Sequence, residues 1–120
     1  MQPKKKRYGM KSLFLSKKEI NKLAKEVAAV AKKDKMPINK IFVFGSYARG
    51  AAKKNSDLDL CFISPKFKNT VEAEAYLRTK IYFLLKMDLP VDVVAYRPVD
   101  FTETAPLVYE IKKHGREINL

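Results

Sequence analysis

The chain has 120 residues and carries 25 Lys and Arg against 13 Asp and Glu, a formal charge of +12, with 47% hydrophobic residues. That length suits one domain with a packed interior and leaves little room for a second core, and the apolar content excludes compositional disorder. A single Cys and a single His (His114) exclude an intramolecular disulfide, a Cys-based zinc cluster and a His-rich metal site, and fit a reducing compartment. Apolar runs are too short to span a membrane, and the opening residues are charged where a secretion signal would be apolar, so a cytoplasmic, membrane-free protein is expected. The charge is uneven: residues 1–40 hold 13 Lys and Arg against Glu19, Glu26 and Asp34, whereas residues 41–120 are nearly balanced. This asymmetry suits RNA or another polyanionic partner, and equally a basic tail with a solvated helix face.

Residues 1–15 open with Lys4-Lys5-Lys6-Arg7 and lack periodicity, which reads as a basic N-terminal arm with Leu13 and Phe14 docking, ahead of a domain over 16–120. Ser16 and Glu19 have capping-box spacing. Ile20, Leu23, Ala24, Val27, Val30 and Ala31 follow as one helical stripe, with Lys18, Lys22, Lys25, Lys32 and Lys33 largely off it. The helix is expected to end before Pro37. Ile41–Phe44 reads as a buried strand ended by Gly45, Leu58–Ser64 as a second strand closed by Pro65, and Val91–Tyr96 as a third between prolines. A helical turn is expected around Tyr47–Arg49. A helix over 70–87 joins strands two and three, with Val71, Ala75, Leu77 or Tyr76, Ile81, Leu84 and Leu85 inward. Pro106–His114 forms the last helix, ended by Gly115 in the left-handed conformation, and Ile118–Leu120 adds an edge strand. The order implies an α/β fold of α+β type, with helices packed on a small mixed sheet of three to four strands.

Three carboxylates stand where these strands should be most apolar. Asp57 and Asp59 are two apart, so a strand would project both from one face about 7 Å apart, and Asp92 interrupts the third strand. Carboxylates grouped in core strands repel and desolvate one another unless a cation lies between them. An all-oxygen donor set without Cys or His suits Mg²⁺ or Mn²⁺. The stretch Gly45-Ser46-Tyr47-Ala48-Arg49-Gly50 leaves a strand at a glycine, with Ser46 able to cap the following turn. That arrangement aims backbone N–H groups and a hydroxyl at a phosphate oxygen, with Arg49 in reach.

Together, Gly45-Ser46, ten intervening residues and Asp57-Leu58-Asp59 match the G-S-x10-D-x-D signature. From about Ile20 onward the chain resembles the DNA polymerase beta-like nucleotidyltransferases, and Ser56-Asp57-Leu58-Asp59-Leu60 resembles their minimal branch, which pairs with HEPN-domain proteins in toxin–antitoxin systems. The resemblance implies transfer of a nucleoside monophosphate, AMP from ATP, to an acceptor hydroxyl with release of pyrophosphate. It implies that Asp57, Asp59 and Asp92 are catalytic and hold two Mg²⁺ (or Mn²⁺). Gly45, Ser46 and Arg49 would bind the triphosphate, with Asp92 on the acceptor side. Sharing one site then requires strands one and two to be antiparallel and strands two and three parallel.

Three functions remain open. The first is an antitoxin enzyme that adenylylates its HEPN partner within a hetero-oligomer, and the short chain after the core favours it. The second is a nucleotidyltransferase acting on RNA, through the basic N-terminal segment, or on a small molecule. The third is a non-catalytic antitoxin that only binds. Among the remaining residues, Tyr47, Tyr96 and Tyr109 are expected to pack against the fold. Cys61 is expected to be inert, and His114 to complement a helix C-terminus.

Overall fold

A computed structural model describes residues 14–120; most of the expected basic arm, Leu13 included, lies outside the described residues. Helix α1 spans Lys17–Lys33 and starts in the anticipated capping box. Ser16 Oγ accepts from the Glu19 N–H at 3.1 Å, and the Ser16 N–H donates to Glu19 Oε1 at 2.8 Å. It ends through Lys35 at φ 63°, ahead of Pro37. Strand β1 is Lys40–Phe44, helix α2 is Gly45–Ala48 and strand β2 is Leu58–Ile63. Helix α3 spans Thr70–Leu85, capped by Asn69, and leads to strand β3, Val91–Tyr96. A 3-10 turn at Pro98–Asp100, helix α4 at Pro106–His114 and strand β4 at Arg116–Ile118 complete the chain.

The strands form one sheet in the order β3-β2-β1-β4. β1 is antiparallel to β2 and β4, and β2 is parallel to β3, as a shared site requires. Side-chain alternation gives the sheet two faces. On one lie Ile41, Val43, Leu58, Leu60, Phe62, Val93 and Ala95, buried under Ile20, Leu23, Ala24 and Val27 of α1 and Ala73, Leu77, Ile81 and Leu85 of α3. On the other, Cys61 and Ile63 meet Ile111 of α4, with Phe42, Phe44, Val94, Tyr96 and Phe101 partly buried around them. Among the described residues no helix is long and apolar enough to cross a membrane.

Three sequence expectations change. In α3 the buried stripe is Ala73-Leu77-Ile81-Leu85, while Val71 and Ala75 are exposed. Apolar residues occur all round this helix, so periodicity alone could not choose the inward face. The edge strand begins two residues earlier than expected, because β4 pairs Arg116 with Val43 and Ile118 with Ile41. Gly115 is extended, at φ −77° and ψ 167°, rather than left-handed. Its need for glycine is steric: a Cβ there would strike the Ile111 carbonyl and lie 3.2 Å from the Val43 carbonyl oxygen.

Gly115→Ala is therefore expected to cost about 1–3 kcal/mol of stability through overpacking. Urea unfolding at an unchanged midpoint would contradict this reason for the glycine.

Candidate active site

The site grows from the end of β1. Gly45 takes φ +71° and turns the chain from the strand into α2, and Gly50 at φ +70° turns it out again. The return to β2 is a tight turn, with the Ser56 N–H donating to the Lys53 carbonyl at 2.9 Å and the Lys53 N–H to Ser56 Oγ at 2.7 Å. The antiparallel register pairs Phe44 with Asp59, so Gly45 lies against that carboxylate. A Cβ on Gly45 would land on the Asp59 carboxylate group. Glycine is thus required here both for its backbone conformation and for the space it leaves.

The parallel register pairs Asp59 with Asp92, and residues directly opposite share a face of the sheet. The structure therefore brings together Asp59 and Asp92, two acids from different strands and 33 positions apart in the sequence. Asp59 is half-buried and its pKa is pushed up to about 6. Burial is the largest cause, followed by the charges of Asp92 and Asp57 and a hydrogen bond to the Asp92 side chain, while Arg49 pulls the other way. Asp57 is exposed and precedes β2, near enough for Asp59 to feel its charge. Among the described residues no three acidic, His or Cys side chains converge as a ready-made metal cluster. The shared face carries the Asp59–Asp92 pair, and Asp57 stands beside it.

Ser46 is not the cap expected of it. Phe44 occupies the cap position, and Ser46 lies within α2, half-buried and without a side-chain hydrogen bond among the described residues. Arg49 is exposed and joins no ion pair among the described residues, so its charge is available to the site. Tyr47 packs structurally: its ring stacks on Phe14 at 5.4 Å, and its hydroxyl accepts from the Leu15 N–H at 3.3 Å, pinning the start of the described chain. Cys61 is buried with its thiol pushed up to about 12, which keeps it protonated. Tyr109, expected to pack against the fold, is exposed: Lys113 lies over its ring and donates to its hydroxyl at 3.2 Å, and His114 sits 4.0 Å from Glu110 in the last turn of α4.

Sequence reasoning overlooked the aromatic surface that continues from the carboxylates along the same face. Phe101 stacks on Phe42 at 5.6 Å and leans on Tyr96 at 5.5 Å, with Phe44 next to Asp59. The signal was the alternation of β1 and β3, which puts Phe42, Phe44 and Tyr96 on the same side as Asp59 and Asp92 once the register is known. Such a surface offers flat apolar area beside a charged end, a shape that suits a nucleoside with its phosphates.

The donor chemistry fits a hard divalent cation: the acids supply oxygen only, and the repulsion that adds to burial in raising Asp59 is what such a cation relieves. Residues 17–118 match the family model described as a nucleotidyltransferase domain. A relative in Methanocaldococcus jannaschii named protein adenylyltransferase is 26% identical over 99 residues, which is 82% of this chain and 94% of that protein. Among solved structures, a toxin–antitoxin with AMP-PNP superposes at a TM-score of 0.57 and 21% identity, covering 82% of this chain and 72% of that one. A mutant of the MntA-HpeT toxin–antitoxin gives 0.54 at 21% identity, over 88% and 73% respectively. Both share the fold of a mixed sheet carrying helices.

Asp59 in the folded, metal-free protein keeps its proton up to about pH 6, whereas the unfolded chain loses it near the ordinary 3.8. Its contribution to stability is full below that lower value and is lost as the pH rises through about 6. In chelator, Asp59→Asn is expected to flatten this decline in thermal stability, and Asp92→Asn to lower the Asp59 pKa read by carboxyl NMR. An Asp59 that titrates at its ordinary value in the wild type would contradict the geometry.

Proposed function

This chain belongs to the nucleotidyltransferase domain family, and from that premise we propose that it moves AMP from ATP onto a hydroxyl of a partner protein, in a Mg²⁺-dependent reaction. The observation that carries the reading is the Asp59–Asp92 pair, fixed by strand register, with Asp59 set directly against Gly45. Bound Mg²⁺, as two ions and with Mn²⁺ equally suited, would neutralise the triphosphate and acidify the acceptor hydroxyl. Asp59 and Asp92 would hold it from the sheet and Asp57 from the loop, all three as carboxylates.

The Ser46 hydroxyl and the N–H groups following Gly45 would hydrogen-bond the phosphate oxygens. Arg49 would balance the charge that collects on the departing group. The acceptor oxygen bonds to the α-phosphorus, and the bond from that phosphorus to the bridging β-phosphate oxygen breaks. Pyrophosphate leaves with that electron pair, and the acceptor's proton passes to Asp92 or to water. The aromatic surface of Phe42, Phe44, Tyr96 and Phe101 would carry the nucleoside.

A protein acceptor is supported by the name of the M. jannaschii relative. A toxin as that protein, of the HEPN class, is supported by the toxin–antitoxin assemblies among the structural relatives and by the G-S-x10-D-x-D resemblance to the minimal branch. Transfer to RNA draws on the basic first helix, yet α1 packs on the sheet face opposite the carboxylates; of its lysines, Lys17 lines a cavity with Tyr47, Ala48 and Gly50 of the motif loop.

With α-labelled ATP, Mg²⁺ and the protein encoded beside this chain, label is expected on that protein. Asp59→Asn and Asp92→Asn should each cut labelling on the order of 100-fold, and chelation should abolish it. Label on RNA instead, or a rate unchanged in both variants, would overturn the reading.

A further inference from the structure

Helix α1 buries one stripe in the core and turns a second to solvent. Exposed Lys18, Lys22, Lys25 and Lys32 fall along that second stripe, with exposed Lys33 beside it. None of them meets a carboxylate among the described residues, whose ion pairs involve Lys80, Arg97, Lys112 and His114. The row is therefore uncompensated positive charge. Beside it lies a cavity of about 490 Å³ whose rim is Lys25 and Lys32 and whose floor includes Ala28, Ala29, Ile38 and Leu120. The groove exists because two alanines stand between those lysines. Leu120 is 54% exposed, so the floor offers an apolar side chain to solvent.

We propose that this groove docks an acidic amphipathic helix of the partner protein, a proposal that rests on the reading of the chain as acting on a partner. Lys25 and Lys32 are seven residues apart, about 10 Å along the helix. That distance matches two turns of a helix laid in the groove, with apolar anchors three and four apart on the floor and carboxylates on the lysine rim. A second copy of this chain would bring its own lysine row against this one, which like-charge repulsion disfavours. Single-stranded nucleic acid would need aromatic rings for stacking, and the groove lining has no aromatic residue. A phosphate backbone would use the lysines and leave the apolar floor idle. Because α1 and the carboxylates occupy opposite faces of the sheet, a partner held here leaves the Asp59–Asp92 face open. Docking would thereby raise the local concentration of an acceptor segment tethered to the same protein.

The test uses a fluorescein-labelled helical peptide of about 18 residues, long enough to hold helix on the surface. It carries leucines at i, i+3, i+4 and i+7 and glutamates elsewhere, and is titrated with the full chain at about 0.15 M salt. Saturable binding is expected, with amide NMR shifts centred on Lys25–Lys32, Ile38 and Leu120. A K25E/K32E double variant, and separately Ala29→Trp, which fills the groove without altering charge, should each weaken it at least about 10-fold. A peptide with the leucines replaced by alanine should bind at least about 10-fold more weakly at the same charge. Both protein variants lie on exposed positions and should keep the wild-type melting temperature and Mg²⁺–ATP binding. Asp59→Asn should lose labelling and keep docking, so the two readings fail separately. Absence of peptide binding would overturn the proposal, as would affinity indifferent to the leucines and to Ala29→Trp. Oligouridylate that displaces the peptide and still binds Ala29→Trp would overturn it in favour of a nucleic-acid face.

Discussion

Two carboxylates, Asp59 and Asp92, stand side by side on adjacent parallel strands, and much of this small molecule is arranged around holding them there. At the usual strand spacing of about 4.8 Å, two charges on a half-buried face repel each other appreciably. Burial first, and then this repulsion, keep a proton on Asp59 to about pH 6. Neither acid can move away, because Leu58, Leu60 and Val93 anchor their strands in the core on the opposite face. Gly45 closes the third side, with no room for a Cβ. The pair is a strained arrangement in which a divalent cation would supply the missing charge, and the fold supplies the rigidity that keeps it strained.

The division of the sheet into two faces separates the two kinds of charge that the composition confounds. The net positive charge of the first forty residues resides partly on α1, which covers one face with α3. The acids lie on the other, where Ile111 and Phe101 cover only part of the surface. A chain that looks basic by composition thus carries an acidic pair on one sheet face, while the lysine row of α1 belongs to the helix that covers the other. Arg49 is a cation of the loop itself, as are Lys53 and Lys54, and among the described residues it is the positive charge that pulls the Asp59 pKa down.

Much of the topology was legible because the motif imposed it. A shared end for Gly45, Asp57 and Asp92 demanded one antiparallel and one parallel pairing, and the strands adopt both. The capping box at Ser16 and Glu19 was equally plain, since its chemistry is local. What the sequence hid was nonlocal or ambiguous in period. The inward face of α3 was obscured by Val71, Ala75, Tyr82 and Phe83, which are apolar or aromatic yet exposed. Gly115 looked like a left-handed cap, when its role is set by two carbonyls, one from a distant strand. Ser46 read as a helix cap because strand-Gly-Ser suggests one; the helix begins at Gly45, which places Ser46 inside it with no hydroxyl partner among the described residues. The aromatic surface was invisible until register placed Phe42 and Phe44 beside the acids, because alternation assigns a side only after one partner is fixed.

The central claim, that the Asp59–Asp92 pair is the cation-dependent centre of nucleotidyl transfer, is tested most directly by Mn²⁺ added substoichiometrically to the labelled protein with ATP. Paramagnetic broadening in amide NMR spectra is predicted to begin at Gly45, Ser46, Leu58–Leu60 and Val91–Val93, to spare α1, and to vanish in Asp92→Asn. Broadening centred elsewhere, or unchanged by Asp92→Asn, would contradict it.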